Sequence, residues 1–310
     1  MDLGLPPPGP IIVGVERSER SRDALALAAS LARAVGSRVI LVAVYPADAR
    51  SATMARRPYA RALANAADAA LEWAARPFAG VRAESRAVAC NSVARALQDV
   101  AKTEAALAIL IGSSHRGPLG RIVVGDVGWR LLREAPCAVA IVPRGHRGVC
   151  GRMRRIGVGY VKAAATAGAL GTAADLAAVT DAAVRVLSVI EPAMVTLPAI
   201  PARGSGYAEV EDSARADLTR DLQREIDRAA APVQISGEVV DGYADDELAR
   251  LSDDVDLLVC GSHSRGAPGR VALGSVSGGV MRKARCPVMV VPRGPWDGFA
   301  GLAASSAIAS

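Results

Sequence analysis

Two stretches of this chain set small, hydroxyl and cationic side chains at matching places, 149 residues apart: "GSSHRGPLGRIVVGD" from Gly112 to Asp126 and "GSHSRGAPGRVALGS" from Gly261 to Ser275. Glycine lets a backbone come close to a ligand, serine donates hydrogen bonds and arginine brings positive charge, a combination suited to a phosphate. In the second stretch Gly261, Ser262, His263, Ser264 and Arg265 open the loop, and Gly274, Ser275, Val276 and Ser277 lead into a helical pattern. A helix starting there would add free N–H groups and the positive end of its dipole. The same residues also suit a glycine-rich turn with a serine N-cap, so the residues alone leave cradle and structural turn both open.

The elements that must hold these loops repeat as well. "IIVGVERSERSRDAL" (Ile11–Leu25) matches "IGVGYVKAAATAGAL" (Ile156–Leu170), and "APCAVAIVPRG" (Ala135–Gly145) matches "ARCPVMVVPRG" (Ala284–Gly294). Apolar runs predict strands over Ile11–Val15, Arg38–Tyr45, Arg82–Val88, Leu107–Ile111 and Ala138–Val142, and again over Ile156–Tyr160, Arg185–Ile190, Gln234–Val240, Leu257–Cys260 and Val288–Val291. Segments of helical period lie between them, as in "SRDALALAASLARAVG" with its Gly36 stop signal. Continuous apolar strands alternating with helices predict an α/β fold: two tandem five-stranded parallel-sheet sandwiches, Rossmann-like and related by a pseudo-two-fold. The expected division is a flexible leader over 1–10, a domain over 11–145, a linker over 146–154, a second domain over 155–294 and a flexible tail over 295–310. In such sheets ligands bind beyond the carboxyl ends of the strands, where strand order reverses, and both loops fall there. The last strands, "AVAIVP" and "PVMVVP", are apolar edges that invite pairing.

Composition narrows the function. The 310 residues are 51% hydrophobic and 22% charged, room for two cores, and with 3% aromatics those cores must be Ala, Val, Leu and Ile. The formal charge of +6 is spread along the chain without a basic stripe or stacking aromatics, so nucleic acid is not an expected partner. No apolar run is of spanning length, and the expectation is a soluble, cytoplasmic chain without membrane contact. The five cysteines show no metal-ligand or disulfide spacing, and Cys137 and Cys286 read as small buried hydrophobes.

The repeated first strand, loop and last strand resemble the universal stress protein family over nearly the whole chain. That family's phosphate loop reads G-x-x-G, nine residues, then G-S/T. The second half matches at Gly261, Gly274 and Ser275, with Ser264 at the middle glycine. The first half matches at Gly112 and Gly125, but His115 replaces the middle glycine and Asp126 the Ser/Thr. The resemblance implies an adenine-nucleotide site in some members and none in others. ATP-binding relatives also carry an Asp after the first strand, where this chain has Glu16 and Val161. The first site (Glu16, Gly112, His115, Gly125, Asp126) therefore reads as degenerate, since a carboxylate N-cap at Asp126 would satisfy the helix end and repel phosphate. The second half is the better candidate for ATP, with Mg2+ only alongside it. The resemblance also implies intramolecular pairing of the halves through their edge strands, with homodimerisation of the whole chain and protein partners of unknown kind as further expectations. The function expected is a stress-response binding and signalling module; the alternative is a nucleotide-free interaction module of the same fold.

No catalytic constellation stands out, so the chain reads as a non-enzyme, with slow ATP hydrolysis as the residual enzymatic reading. His115 and His263 read as packed loop residues and His146 as a solvated linker residue. "DDELARLSDDVDLL" (Asp245–Leu258) reads as a solvated helix face rather than a metal site, and Glu191–Tyr207 as a lid, a partner-contact loop or an insertion.

Overall fold

Strands as apolar as IIVG (β1, Ile11–Gly14) and AILIG (β4, Ala108–Gly112) have no face to give to water, and the chain buries them between two layers of helices. The computed structural model describes residues 8–47, 57–114, 120–146, 153–160, 164–191, 205–229, 232–262, 271, 273–292 and 298–299, with backbone alone at 57, 164–167 and 205–211. The first half also holds α1 (Glu19–Val35), β2 (Val39–Tyr45), α2 (Arg57–Ala75), β3 (Ala83–Ala89), α3 (Val93–Thr103), α4 (Asp126–Glu134) and β5 (Ala138–Val142). The second half repeats them as β6 (Arg155–Tyr160), α5 (Ala164–Thr180), β7 (Ala183–Ile190), α6 (Ser205–Ala229), β8 (Ile235–Asp241), α7 (Ala244–Leu251), β9 (Leu257–Gly261), α8 (Ser275–Lys283) and β10 (Val288–Val291). Each strand expected from the sequence is found with its ends within two residues.

Strand order is β3-β2-β1-β4-β5-β10-β9-β6-β7-β8, so the two expected sandwiches share one ten-stranded sheet. The ladders are parallel except at the centre, where β5 and β10 run antiparallel. There Val139 faces Val290, Ala140 faces Met289 and Ile141 faces Val288. Ala140 and Met289 are the same position in the two copies, so the pseudo-two-fold axis passes between them. Alternation along the strands sends Ala140, Val142, Met289 and Val291 into one core under α1, α2, α5 and α6. Val139, Ile141, Val288 and Val290 enter the other, under α3, α4, α7 and α8. Both cores draw residues from both halves. The outer edges are guarded by charge: Arg38, Glu84, Arg86 and Glu104 close a ring of ion pairs beside β3, and Arg215 pairs with Asp241 on β8.

Several segments expected to be loose are packed. The Pro10 carbonyl accepts from Leu107 N–H at 2.9 Å and the Gly9 carbonyl accepts from Ser37 Oγ at 2.7 Å, so the leader is docked by residue 9. Phe299, placed in the tail, is buried in the first core. His146 is half-buried rather than solvated, and burial lowers its imidazole below the usual histidine range. Next to it, the Gly145 N–H donates to the buried carboxylate of Asp23 at 2.9 Å. Beyond the linker, Arg154 and Arg155 N–H groups both reach Asp256 Oδ2. The Glu191–Tyr207 stretch lies outside the described residues at 192–204, and α6 begins at Ser205. No described helix is long and apolar enough to cross a membrane.

One carboxyl group sits awkwardly in this frame. Asp175, on the apolar helix α5, has its pKa raised to about 6 by burial. A raised acid favours the folded state only when protonated, so its contribution is complete below the ordinary carboxylate range and lost as pH rises through 6. Asp175→Asn should therefore raise the melting temperature at pH 7.5, by about 2 °C, and leave it unchanged at pH 4. An equal shift at both pH values would contradict this assignment.

Candidate functional site

Both candidate loops leave the sheet at its reversals of strand order, between β1 and β4 and between β6 and β9. At the first, Gly112 ends β4 directly against the α1 backbone: a Cβ there would lie 2.3 Å from the Arg20 carbonyl oxygen. Only glycine fits. Ser113 then closes the base of the loop. Its N–H donates to the Val142 carbonyl at 2.8 Å, its Oγ accepts from Val123 N–H at 2.7 Å, and the Ser114 N–H donates to the Val123 carbonyl at 2.7 Å. In the second half Ser262 is fully buried, and its N–H donates to the Val291 carbonyl at 3.0 Å, repeating the Ser113 contact. His115, His263, Ser264, Arg265 and Val161 lie outside the described residues.

The first half opens a cleft of about 210 Å³ beside Gly112. Val15, Val42, Val44, Leu97 and Ile111 give it apolar walls, and Glu16 and Arg20 line it too. Glu16 is already engaged: its carboxylate accepts from Ser18 Oγ at 2.6 Å and pairs with Arg20, while its N–H donates to Ser21 Oγ at 2.9 Å. Arg20 in turn keeps its Nε buried with no hydrogen-bond partner among the described residues. Sequence reading singled out Glu16 but not Arg20 and Ser21. The signal available was their place at the start of α1, where an acid just before the helix lies within reach of side chains in its first turn.

The two helix starts have the same backbone. Gly125 (φ −84°, ψ 176°) and Gly274 (φ −84°, ψ 172°) occupy the N-cap positions, and neither N-cap residue has a side chain to cap its helix. This corrects the expectation for Asp126, which is the first helical residue and not the cap. Its effect is that of charge: α4 has an acid in its first turn, and α8 has none. Of the expected hydroxyls, Ser275 is exposed at this end whereas Ser277 is buried, and Val276 packs against the core.

Each loop is also fastened to the opposite half. The Ile122 N–H donates to the Ala284 carbonyl at 3.4 Å, and the Val271 N–H donates to the Ala135 carbonyl at 3.0 Å. Ile122 and Val271 are repeat equivalents, as are Ala135 and Ala284, and all four are buried. The sequence cannot show this, because the contact pairs each copy with the other. Val271→Ala should cost about 2 kcal/mol through the lost methyl groups and the cavity. It should speed amide exchange around residue 122 as well as residue 271. Faster exchange in the second half alone would contradict the clasp.

The acids of Asp245–Leu258 are structural. Lys283 Nζ reaches Asp245 and Asp246, Arg250 pairs with Glu247, Arg285 with Asp253, and Asp256 holds the β6 entry. Among the described residues no group of three or more His, Cys, Asp or Glu could hold a metal. Burial raises the thiols of Cys137 and Cys286 and pushes Cys260 up to about 12, which leaves them unreactive packing groups.

A model of the universal stress protein family matches residues 9–143 and again 153–292. A universal stress protein of Mycobacterium bovis is 27% identical over 205 residues, 65% of this chain and 70% of that protein. One of Mycobacterium tuberculosis is 30% identical over 182 residues, 59% of this chain and 60% of that protein. Among solved structures, a universal stress protein from Archaeoglobus fulgidus superposes with a TM-score of 0.63 at 18% identity, over 93% of this chain and 97% of that one. A functionally unknown protein from Pseudomonas aeruginosa gives 0.62 at 18% identity, over 97% and 98%.

Proposed function

This chain belongs to the universal stress protein family, and we propose that it is a stress-response binding module that holds one adenine nucleotide, ATP, at the amino end of α8. The observation that carries this reading is the asymmetry of two otherwise matching helix starts. Both helices have a glycine N-cap, but α8 has no acid in its first turn and α4 carries Asp126 there. Free N–H groups and a positive dipole end favour phosphate oxygens at α8, and Ser275 adds a hydroxyl donor. Gly261 ends the adjoining strand, and Ser262 with the stretch from His263 to Arg265 would complete the set that holds the phosphates. Mg2+ would enter with the nucleotide, sharing its phosphate oxygens.

In the first half, the Asp126 carboxylate repels phosphate and Glu16 is occupied by Ser18 and Arg20. Its cleft, at about 210 Å³, is smaller than the roughly 300–1,000 Å³ usual for small-molecule sites. That half serves as a scaffold whose carbonyl at Ala135 fastens the second loop. The role proposed is binding rather than turnover, with the occupied state read by other proteins.

Titration calorimetry with ATP tests this. Ser275→Asp should weaken binding at least about tenfold by copying the first half's charge, and Asp126→Ser should leave the existing affinity intact. No binding heat from the unaltered protein at millimolar ATP would leave the nucleotide-free interaction module as the correct reading.

A further inference from the structure

The two halves differ most in the groove between the helix that follows the third strand and the helix that follows the loop. Leu97 on α3 meets Gly14 as Leu248 on α7 meets Gly159, which fixes the register between copies. In that register Arg95 stands where Asp246 does and Lys102 where Asp253 does, while on the facing helices Arg130 replaces Gly279 and Glu134 replaces Lys283. The charges have been exchanged.

In the second half the groove is closed from within. Asp245 nests so tightly on α8 that a Cβ on Gly279 would lie 2.4 Å from its Oδ2. Lys283 Nζ binds Asp245 at 2.8 Å and Asp246 at 2.6 Å, and Arg285 reaches Asp253 at 3.3 Å. In the first half the same groove stays open, with a volume of about 500 Å³. Arg95, Lys102, Arg130 and Arg133 line it against only Asp99 and Glu134. Arg95 makes a long, exposed pair with Asp99 at 3.8 Å, and Lys102, Arg130 and Arg133 have no carboxylate partner among the described residues.

We propose that the α3–α4 groove of the first half is a docking surface for an acidic protein segment, whose carboxylates lie between the helices as Asp245 lies on α8. The second half shows that this fold seats carboxylates there; in the first half the cations are present and the acids must come from a partner. Arg95 and Lys102 lie two turns apart, about 10 Å, and Arg130 and Arg133 one turn apart, so acids spaced by one or two helical turns meet both walls. Asp99 and Glu134 interrupt the positive surface and no aromatic side chain lines it, which favours a peptide over a continuous phosphate backbone.

Fluorescence anisotropy at low salt tests the proposal on the full chain. The probes are a labelled peptide of alternating Glu and Ala, its Gln–Ala counterpart and oligothymidine. The Glu–Ala peptide should bind and the Gln–Ala peptide should not. Arg130→Glu with Arg133→Glu should weaken that binding roughly tenfold. Arg61→Glu with Arg282→Glu, which changes net charge equally at exposed sites elsewhere, should leave it within about twofold. Equal binding of the two peptides, equal loss in the two double variants, or tighter binding of oligothymidine would each overturn the proposal.

Discussion

Everything else in this molecule depends on the antiparallel pairing of β5 with β10. Three residue pairs, centred on Ala140 and Met289, join two parallel half-sheets into one. Every residue in these pairs is essentially inaccessible to water, so separating the halves would bare two apolar edges together with their unpaired backbone groups. The pairing also decides where the loops go. Because the axis runs between the two last strands, Ile122 and Val271 each find a carbonyl partner in the opposite half.

On that symmetric frame the copies have diverged through side chains while the backbone held. The N-cap glycines differ by 4° in ψ and share a φ of −84°, yet one helix opens with a carboxylate and the other with a hydroxyl. The same division recurs one layer away, where Lys283 locks α7 to α8 and its counterpart Glu134 leaves α3 and α4 apart. A duplicated fold can tolerate such changes because the cores, built from small aliphatic residues of both halves, are indifferent to them. The first half keeps the acid at its helix start and an open basic groove, while the second has neither.

The strands and their central pairing were legible in the sequence because buried parallel strands leave no polar face, and because two copies of one apolar edge have an obvious partner. The starts of α4 and α8 were legible to within one residue, which was enough to misplace Asp126 as a cap when it is the first helical position. The Glu16–Arg20 pair was not legible because Glu16 precedes α1, so no helical spacing marks Arg20 as its partner. The reciprocal clasp was beyond reach, since no local pattern says that Val271 will find Ala135 across a pseudo-axis. Docking of Pro10 and Phe299 was hidden by flanks rich in Pro, Gly and Ala, which read as loose chain although a single apolar residue there can be buried.

The central claim is that one chain offers one nucleotide site, in its second half. Native mass spectrometry of the full-length protein across rising ATP concentrations counts that directly. Saturation at one nucleotide per chain is expected; two nucleotides bound with similar affinity, or none at millimolar ATP, would rule out a single site in the second half.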